Sequence, residues 1–363
     1  MSPIAALGPG RPRPPLVPGD GERERALDEL AMSSLVKACI AVGHCKLNPR
    51  TDPRSFAASR WGTEAANNAE AVIKAASAPA MTSTPGWAKE FSRVVWAFLR
   101  NLTPLSAGAD LLDKVLRLNF DGAGAISIPN LSVPLADFVG QGAPIPVVDG
   151  TVTIQATLEP HKFGVITVLT NEMLTSSNAE ALMRDALLQS TGPALDRRLF
   201  DANAAVADVR PAGLLYGITP LGATAGGGYA AMVGDLGKLA NAVAPKSGNG
   251  GMTLIAAAPQ AIAISLQLVQ GSPWPLLTST SLPAGTIIGV ANAGVVVAAG
   301  AAPTIDTTAA ASLVMDTAPG AIMTGGSVRA NFQTDTTGLR LRWPISWAVR
   351  DPGAIAVIQN TTW

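Results

Sequence analysis

TVTIQATLEPHKFGVITVLTNEMLTSSNAEALMRDALLQSTGPALDRRLFDANAAVADVRPAGLL, residues 151–215, decides how the rest of this chain is read. Val152, Ile154, Ala156 and Leu158 alternate with Thr151, Thr153, Gln155 and Thr157, the period of a half-buried strand. A second strand is expected from Val165 to Thr170. Ser177-Asn-Ala-Glu180 then reads as a capping box, in which the Ser hydroxyl and Glu carboxylate satisfy free amides at a helix start. The helix it opens is expected to reach Phe200. Ala181, Leu188, Gly192, Leu195 and Leu199 form one apolar stripe along it, and Gly192-Pro193 is expected to kink or divide it. A turn, Pro211-Ala-Gly-Leu-Leu215, follows. Nothing in the stretch looks catalytic. A strand pair feeding a long helix is a mechanical element.

Upstream, Gly140-Gln-Gly-Ala-Pro-Ile-Pro-Val-Val-Asp-Gly150 reads as the tip of a long hairpin, because its prolines prevent continuous ladder pairing. Downstream, residues 222–322 read as a separate α/β unit. Helices near 230–243 and 260–269 alternate with short strands at 253–257, 286–290, 295–298 and 313–315. The apolar run Gly285–Ala302 is too short and too Gly-rich to span a membrane, and two buried strands joined at Asn292-Ala-Gly294 explain it better. Closing strands follow at 328–333, 338–349 and 354–358, with Asp351-Pro-Gly353 as a tight turn. These are expected to pair with the strands near 151–170.

Residues 1–24 are Pro-rich and read as a tail without a core, with no secretion signal among them. Short helical pieces broken by Pro49, Pro53, Pro79 and Pro85 run to about Phe98. They lack the apolar content for a core of their own and read as an arm that packs on something else.

The chain has 363 residues, enough for two or three domains. Only 14% are charged, well under the usual quarter, so much of the surface is neutral, as where subunits pack together. Lys plus Arg equals Asp plus Glu at 26 each, which argues against a dedicated nucleic-acid binder. Cys39 and Cys45 flank His44, but with only one further histidine, His161, a four-ligand metal site is not expected. No cofactor is implied. No G-x-S-x-G elbow or P-loop spacing is present, and His161, at a strand boundary, is read as exposed or hydrogen-bonded. Asp335 and Asp351 are read as local acceptors at turns. Trp343 and Trp347 share one strand face, read as core or subunit contact rather than sugar stacking. Arg340, Arg342 and Arg350 contend for that face, unless a bulge near Pro344 changes the parity or a neighbouring subunit supplies carboxylates. Both alternatives stand.

Four segments, in their order and spacing, resemble the major capsid proteins of tailed phages with the Hong Kong 97 phage-like fold. They are Ala125–Pro129 with Ala136–Pro144; Thr157–Gly164 with Leu169–Leu174; Ala194–Asp196 and Leu199–Asp201 with Pro211–Leu215; and Thr337–Arg342 with Trp347–Ala354. The resemblance implies an α+β fold. Residues 1–60 would be a flexible tail and pre-arm helices, a candidate for the removable scaffold-like segment of some family members, and 61–125 an N-terminal arm. Residues 126–162 would be an extended loop reaching over a neighbour, 163–222 with 323–363 a peripheral domain, and 223–322 an axial domain. The implied function is a non-enzymatic virion protein, assembled in the host cytoplasm into an icosahedral shell around double-stranded DNA. Its partners would be itself, a portal, a maturation protease or scaffold, and DNA by weak contact, with no membrane. The expected inter-subunit loop tip is Gly140, Gln141, Gly142, Pro144, Pro146 and Asp149, and the expected spine helix carries Ala181, Leu188, Leu195 and Leu199. Some family members weld subunits through a loop lysine. The tip here has none, with Lys162 only at the loop's base, so a non-covalent shell is expected. The competing readings are an encapsulin-like shell holding cargo, and an α/β ligand-binding protein or enzyme with its site in 223–322.

Overall fold

The computed structural model describes residues 29–30, 33–34, 36–38, 40–45, 51–75, 96, 98–120, 124–131, 152–172, 179–248, 251–268, 272–300, 304–314 and 328–363. In chain order the elements are α1 (Pro53–Trp61), α2 (Thr63–Ala75), α3 (Ala107–Lys114), β1 (Leu116–Asn119), β2 (Ile126–Leu131), β3 (Val152–Leu158) and β4 (His161–Thr170). There follow α4 (Ala179–Leu199), α5 (Gly228–Val243), β5 (Met252–Ala257), α6 (Ala258–Gln267), β6 (Leu276–Ser279), β7 (Ile287–Ala291) and β8 (Val295–Ala299). The last are β9 (Thr304–Thr308), β10 (Ser312–Val314), β11 (Val328–Ala330), β12 (Thr336–Val349) and β13 (Ile355–Ile358).

Strand β12 organises the first sheet. β4 lies antiparallel along one side of it, while β9 and then β8 lie along the other, and β1 adds parallel to β8. The register with β4 runs unbroken from Thr336 to Ile345, through Pro344. No bulge is therefore needed to place the arginines. Leu339, Leu341, Trp343, Ile345 and Trp347 occupy odd positions and are buried, whereas Arg340 and Arg342 occupy even positions and face solvent. The two sets never shared a face, because successive side chains on a strand point to opposite sides. Trp343 meets Phe98 edge-on at 5.3 Å, and the Trp347 indole donates to the Ala212 carbonyl at 2.9 Å. Both arginines converge on Asp306 of β9, at 2.7 and 3.1 Å. No partner subunit is required to supply that carboxylate.

The second sheet has the order β13-β7-β5-β6, and its strands β5, β7 and β13 are buried on both faces. Leu254, Ala256, Ile287, Ala291, Ala356 and Ile358 pack under α5 and α6. Ile255, Ala257, Ile288, Val290, Ile355 and Val357 join the main core with α4 and β12. Strands covered twice read as continuous apolar runs, which is why this region showed no period of two.

Here the strands depart from the expected division at 222 and 322. β8 and β9 lie inside that span yet pair with β12, and β13, expected among the closing strands, pairs with β7. The strand at 152–158 pairs with β2 as a hairpin, not with the closing strands; only β4 does that. The chain changes sheet at two corners, 292–294 between β7 and β8 and 350–354 between β12 and β13. These corners nest against each other. Arg350 N–H donates to the Gly294 carbonyl at 2.7 Å, and a Cβ on Gly294 would lie 2.0 Å from that of Ala354. Only glycine allows that approach.

Helix α4 runs unbroken for 21 residues with Pro193 inside it, so Gly192-Pro193 does not divide it. A Cβ on Gly192 would lie 3.2 Å from the Leu105 carbonyl oxygen, so this glycine admits the neighbouring loop rather than ending the helix. The buried face also differs from the expected stripe. Ala181 is exposed and Leu188 half-buried, while Met183, Leu187, Thr191, Leu195 and Leu199 are buried. These follow a four-residue ridge, which drifts about 40° per step around the helix and suits helix–helix packing.

The N-terminal pieces pack on the chain itself. Pro53 opens α1 rather than breaking a helix, with the Asp52 carboxylate capping the Ser55 amide. Ala38, Ala41, Ala57, Ala66 and Ala69 form a small-residue cluster, while Val36, Ile40, Phe98, Leu99 and Leu102 enter the main core. The expected tail at 1–24, the loop tip and Ser177 of the capping box lie outside the described residues.

Candidate assembly surfaces

Helix α4 is fixed at one buried carboxylate. Asp196 near the end of α4 accepts from Gly108 N–H at 2.8 Å, Ala107 N–H at 3.2 Å, and the hydroxyls of Ser106 and Ser279. A carboxylate at the start of α3 meets free amides and the positive end of the helix dipole. It thereby ties α4, α3 and β6 together. Sequence reading quoted Asp196 only as part of a helix exit, because its partners lie far away along the chain. The turn at 211–215 docks on the same helix end, with Leu214 N–H donating to the Leu199 carbonyl at 2.8 Å.

The hairpin β2–β3 rises from the opposite face of the first sheet. Ile128 and Leu158 bury against Phe120, Val296 and Ala298, and the ladder pairs Ile126 with Leu158 and Leu131 with Val152. The chain between these ends holds Gly140, Gln141, Gly142, Pro144, Pro146 and Asp149, which lie outside the described residues. Of the four expected spine residues, Leu195 and Leu199 sit in the main core, Leu188 packs at its edge, and Ala181 faces solvent.

A cavity of about 400 Å³ opens beside Glu159, His161, Tyr216, Ser346 and Trp347. His161 is buried, and its Nδ1 lies 3.4 Å from the Ser346 hydroxyl, so the hydrogen-bonded alternative is the one observed. Ser346 lines this cavity but is almost wholly buried, and its hydroxyl is turned to the imidazole. His44 stacks on Phe56 at 4.0 Å, and burial with the nearby Arg60 charge lowers its pKa. Burial and then Asp52 push the Cys45 thiol up, away from reactivity. Among the described residues no three His, Cys, Asp or Glu side chains gather as a metal site, and no helix is long and apolar enough to cross a membrane. Asp351 accepts from Gly353 N–H at 3.0 Å, a local turn acceptor as expected, and Asp335 accepts from Asn171. Trp363 donates to buried Asp235 at 2.8 Å.

No protein-family model and no curated protein matches the sequence. Solved structures match the fold. One from Mycobacterium phage Adephagia superposes with a TM-score of 0.50 at 21% identity, covering 71% of this chain and 91% of that one. One from Mycobacterium phage Bobi gives 0.50 at 16% identity, covering 70% and 90%. The chain has the Hong Kong 97-like capsid fold. A capsid of an empty GTA particle scores 0.47 at 13% identity, covering 70% and 90%.

Proposed function

We propose that this chain is a major capsid protein that assembles with copies of itself into the icosahedral shell around the double-stranded DNA of a tailed phage or prophage. The observation that carries this reading is the fold shared over about 70% of this chain and 90% of two mycobacteriophage structures. It is a non-catalytic role, in keeping with a buried Ser346 and an inward-held His161. On this reading the segment between β2 and β3 reaches over a neighbour, with its tip at Gly140, Gln141, Gly142, Pro144, Pro146 and Asp149. Residues near β12 and α4 form the peripheral domain, and the α5–α6 region closes around the capsomer axis. Contacts between copies are non-covalent, since the tip segment carries no lysine. Portal, scaffold or maturation protease and packaged DNA are the further partners, and the assembled virion is the location.

A removable leading segment reaching residue 60 fits poorly, because Val36 and Ile40 are buried in the main core. A removable piece would end before Val36. Negative-stain microscopy and sedimentation of the expressed chain test the function. Rings, sheets or shells are expected, and a monodisperse monomer under all conditions would overturn it. SDS-resistant oligomers would overturn the non-covalent part alone.

A further inference from the structure

Residues 9–18, Pro-Gly-Arg-Pro-Arg-Pro-Pro-Leu-Val-Pro, place proline at 9, 12, 15 and 18. That spacing matches the three-residue turn of polyproline II. In that conformation the four prolines line one edge, and Arg11 and Arg13 fall on the two edges beside it. These arginines are the only charged side chains between Met1 and Gly19. A tail that builds no core has no need of such a period, whereas a segment that docks as a stiff ligand does.

The cavity beside His161 has the walls such a segment fits. They come from three places: Glu159 and His161 where β3 turns into β4, Ser346 and Trp347 on β12, and the turn after α4 through Tyr216. Trp347 gives its indole N–H to the Ala212 carbonyl, so its ring serves as an apolar wall. Tyr216 and Val206 line the cavity while remaining 55% and 46% exposed. Among the described residues that line it, Glu159 carries the one fixed charge, and it is exposed. Aromatic-lined grooves hold proline-rich peptides because the ligand is stiff before it binds and proline has no N–H to desolvate. A carboxylate at the rim adds the counter-charge for arginine.

We propose that residues 9–18 dock in this cavity of their own chain, with the proline edge against Tyr216 and Trp347 and an arginine on Glu159. The length of chain allows it. Glu29 lies 3.6 Å from Arg184 on α4. Arg198, farther along that helix, lines a second cavity that shares His161, Pro211 and Trp347 with the first. Arg184 and Arg198 are about 21 Å apart at about 1.5 Å per residue, whereas the chain from Pro18 to Glu29 reaches up to about 36 Å. The docked segment clasps the base of the β2–β3 hairpin, β12 and the turn after α4 together. One chain suffices for this docking, so it stands or falls apart from the shell.

The test uses the full chain carrying Tyr216→p-benzoylphenylalanine, irradiated at low concentration, with the crosslinked peptides mapped by mass spectrometry. Adducts should join position 216 to residues 9–18 of the same chain. Glu159→Arg should lower their yield at least about threefold, as should Pro12→Ala/Pro15→Ala. Adding Arg11→Glu/Arg13→Glu to Glu159→Arg should restore it. Val206→p-benzoylphenylalanine repeats the measurement from a second lining residue, and circular dichroism on each variant separates loss of docking from loss of fold. Adducts that map elsewhere, or a yield indifferent to the charge swap and to the prolines, overturn the docking. Adducts between two chains overturn its supply by the same copy.

Discussion

The two sheets meet at one corner and solve burial in different ways. The β12 sheet packs one face on α4, Phe98 and the N-terminal helices; on the other, the β2–β3 hairpin covers only the β8 end and leaves Arg340, Arg342 and Lys162 exposed. The β5–β7–β13 sheet is covered twice, by the main core below and by α5 and α6 above. A one-sided sheet spends its polar residues on itself; a two-sided sheet passes its solvent boundary outward to the helices. On those helices charge is sparse: α5 carries Asp235, which is buried, and Lys238, and α6 carries none. The difference separates a sheet whose polar residues pair with one another from one whose solvent boundary lies on the helices above it.

Charge substitutions should divide the sheets most sharply. On β5, Leu254→Asp, Ile255→Asp and Ala256→Asp should each cost at least about 3–5 kcal/mol, because an unpaired buried charge results whichever face it enters. On β12 only Leu341→Asp should do so, while Arg340→Gln and Arg342→Gln, which remove one exposed partner of Asp306 without adding a like charge, should cost less than about 1 kcal/mol. A tolerated charge at Ile255 would break the comparison. Deletion of residues 1–45 tests whether the cover of the first sheet is intrinsic. Loss of Val36 and Ile40 should cost roughly 3–6 kcal/mol at about 1.5–3 per buried side chain, read as a lower urea midpoint. Gly294→Ala attacks the shared corner, and overpacking against Ala354 should cost about 1–3 kcal/mol in thermal or urea unfolding.

The smallest effect concerns Asp351, whose pKa is held below the usual carboxylate range chiefly by its hydrogen bond from Lys246. Its contribution is therefore present above the ordinary carboxylate pKa and is lost as pH falls through the lowered one. Lys246→Met should remove that acid-limb slope and cost less than about 1 kcal/mol at pH 7. A slope unchanged in the variant would show that the pair does not link the corner to α5.

Much of the fold was legible locally. Alternation found β3, the Pro and Gly positions framed the hairpin, and the apolar spacing found α4 to within a residue at its end. Gly192-Pro193 reads as a kink or a break because local rules see a breaker, not the Leu105 carbonyl that needs the space; the break is the alternative the continuous helix removes. The stripe on α4 was misplaced because a helix held against helices and strands buries a drifting ridge, not a straight line. The Asp196 hub was invisible, since Ser106, Gly108 and Ser279 are each more than eighty residues away.

By itself the sequence determined the kinds of elements and their order, because hydrophobic period, capping and turn residues act over a few positions. It also determined that the tip of the loop has no lysine and that Pro211–Ile305 is nearly free of charge. Only the tertiary structure decided which sheet each strand joins. β7 and β8 are separated by three residues and β12 and β13 by five, yet each pair parts at the Gly294–Ala354 corner into different sheets. Strands buried on both faces share one apolar signature, so their partners are chosen by distant contacts, and local sequence cannot distinguish them.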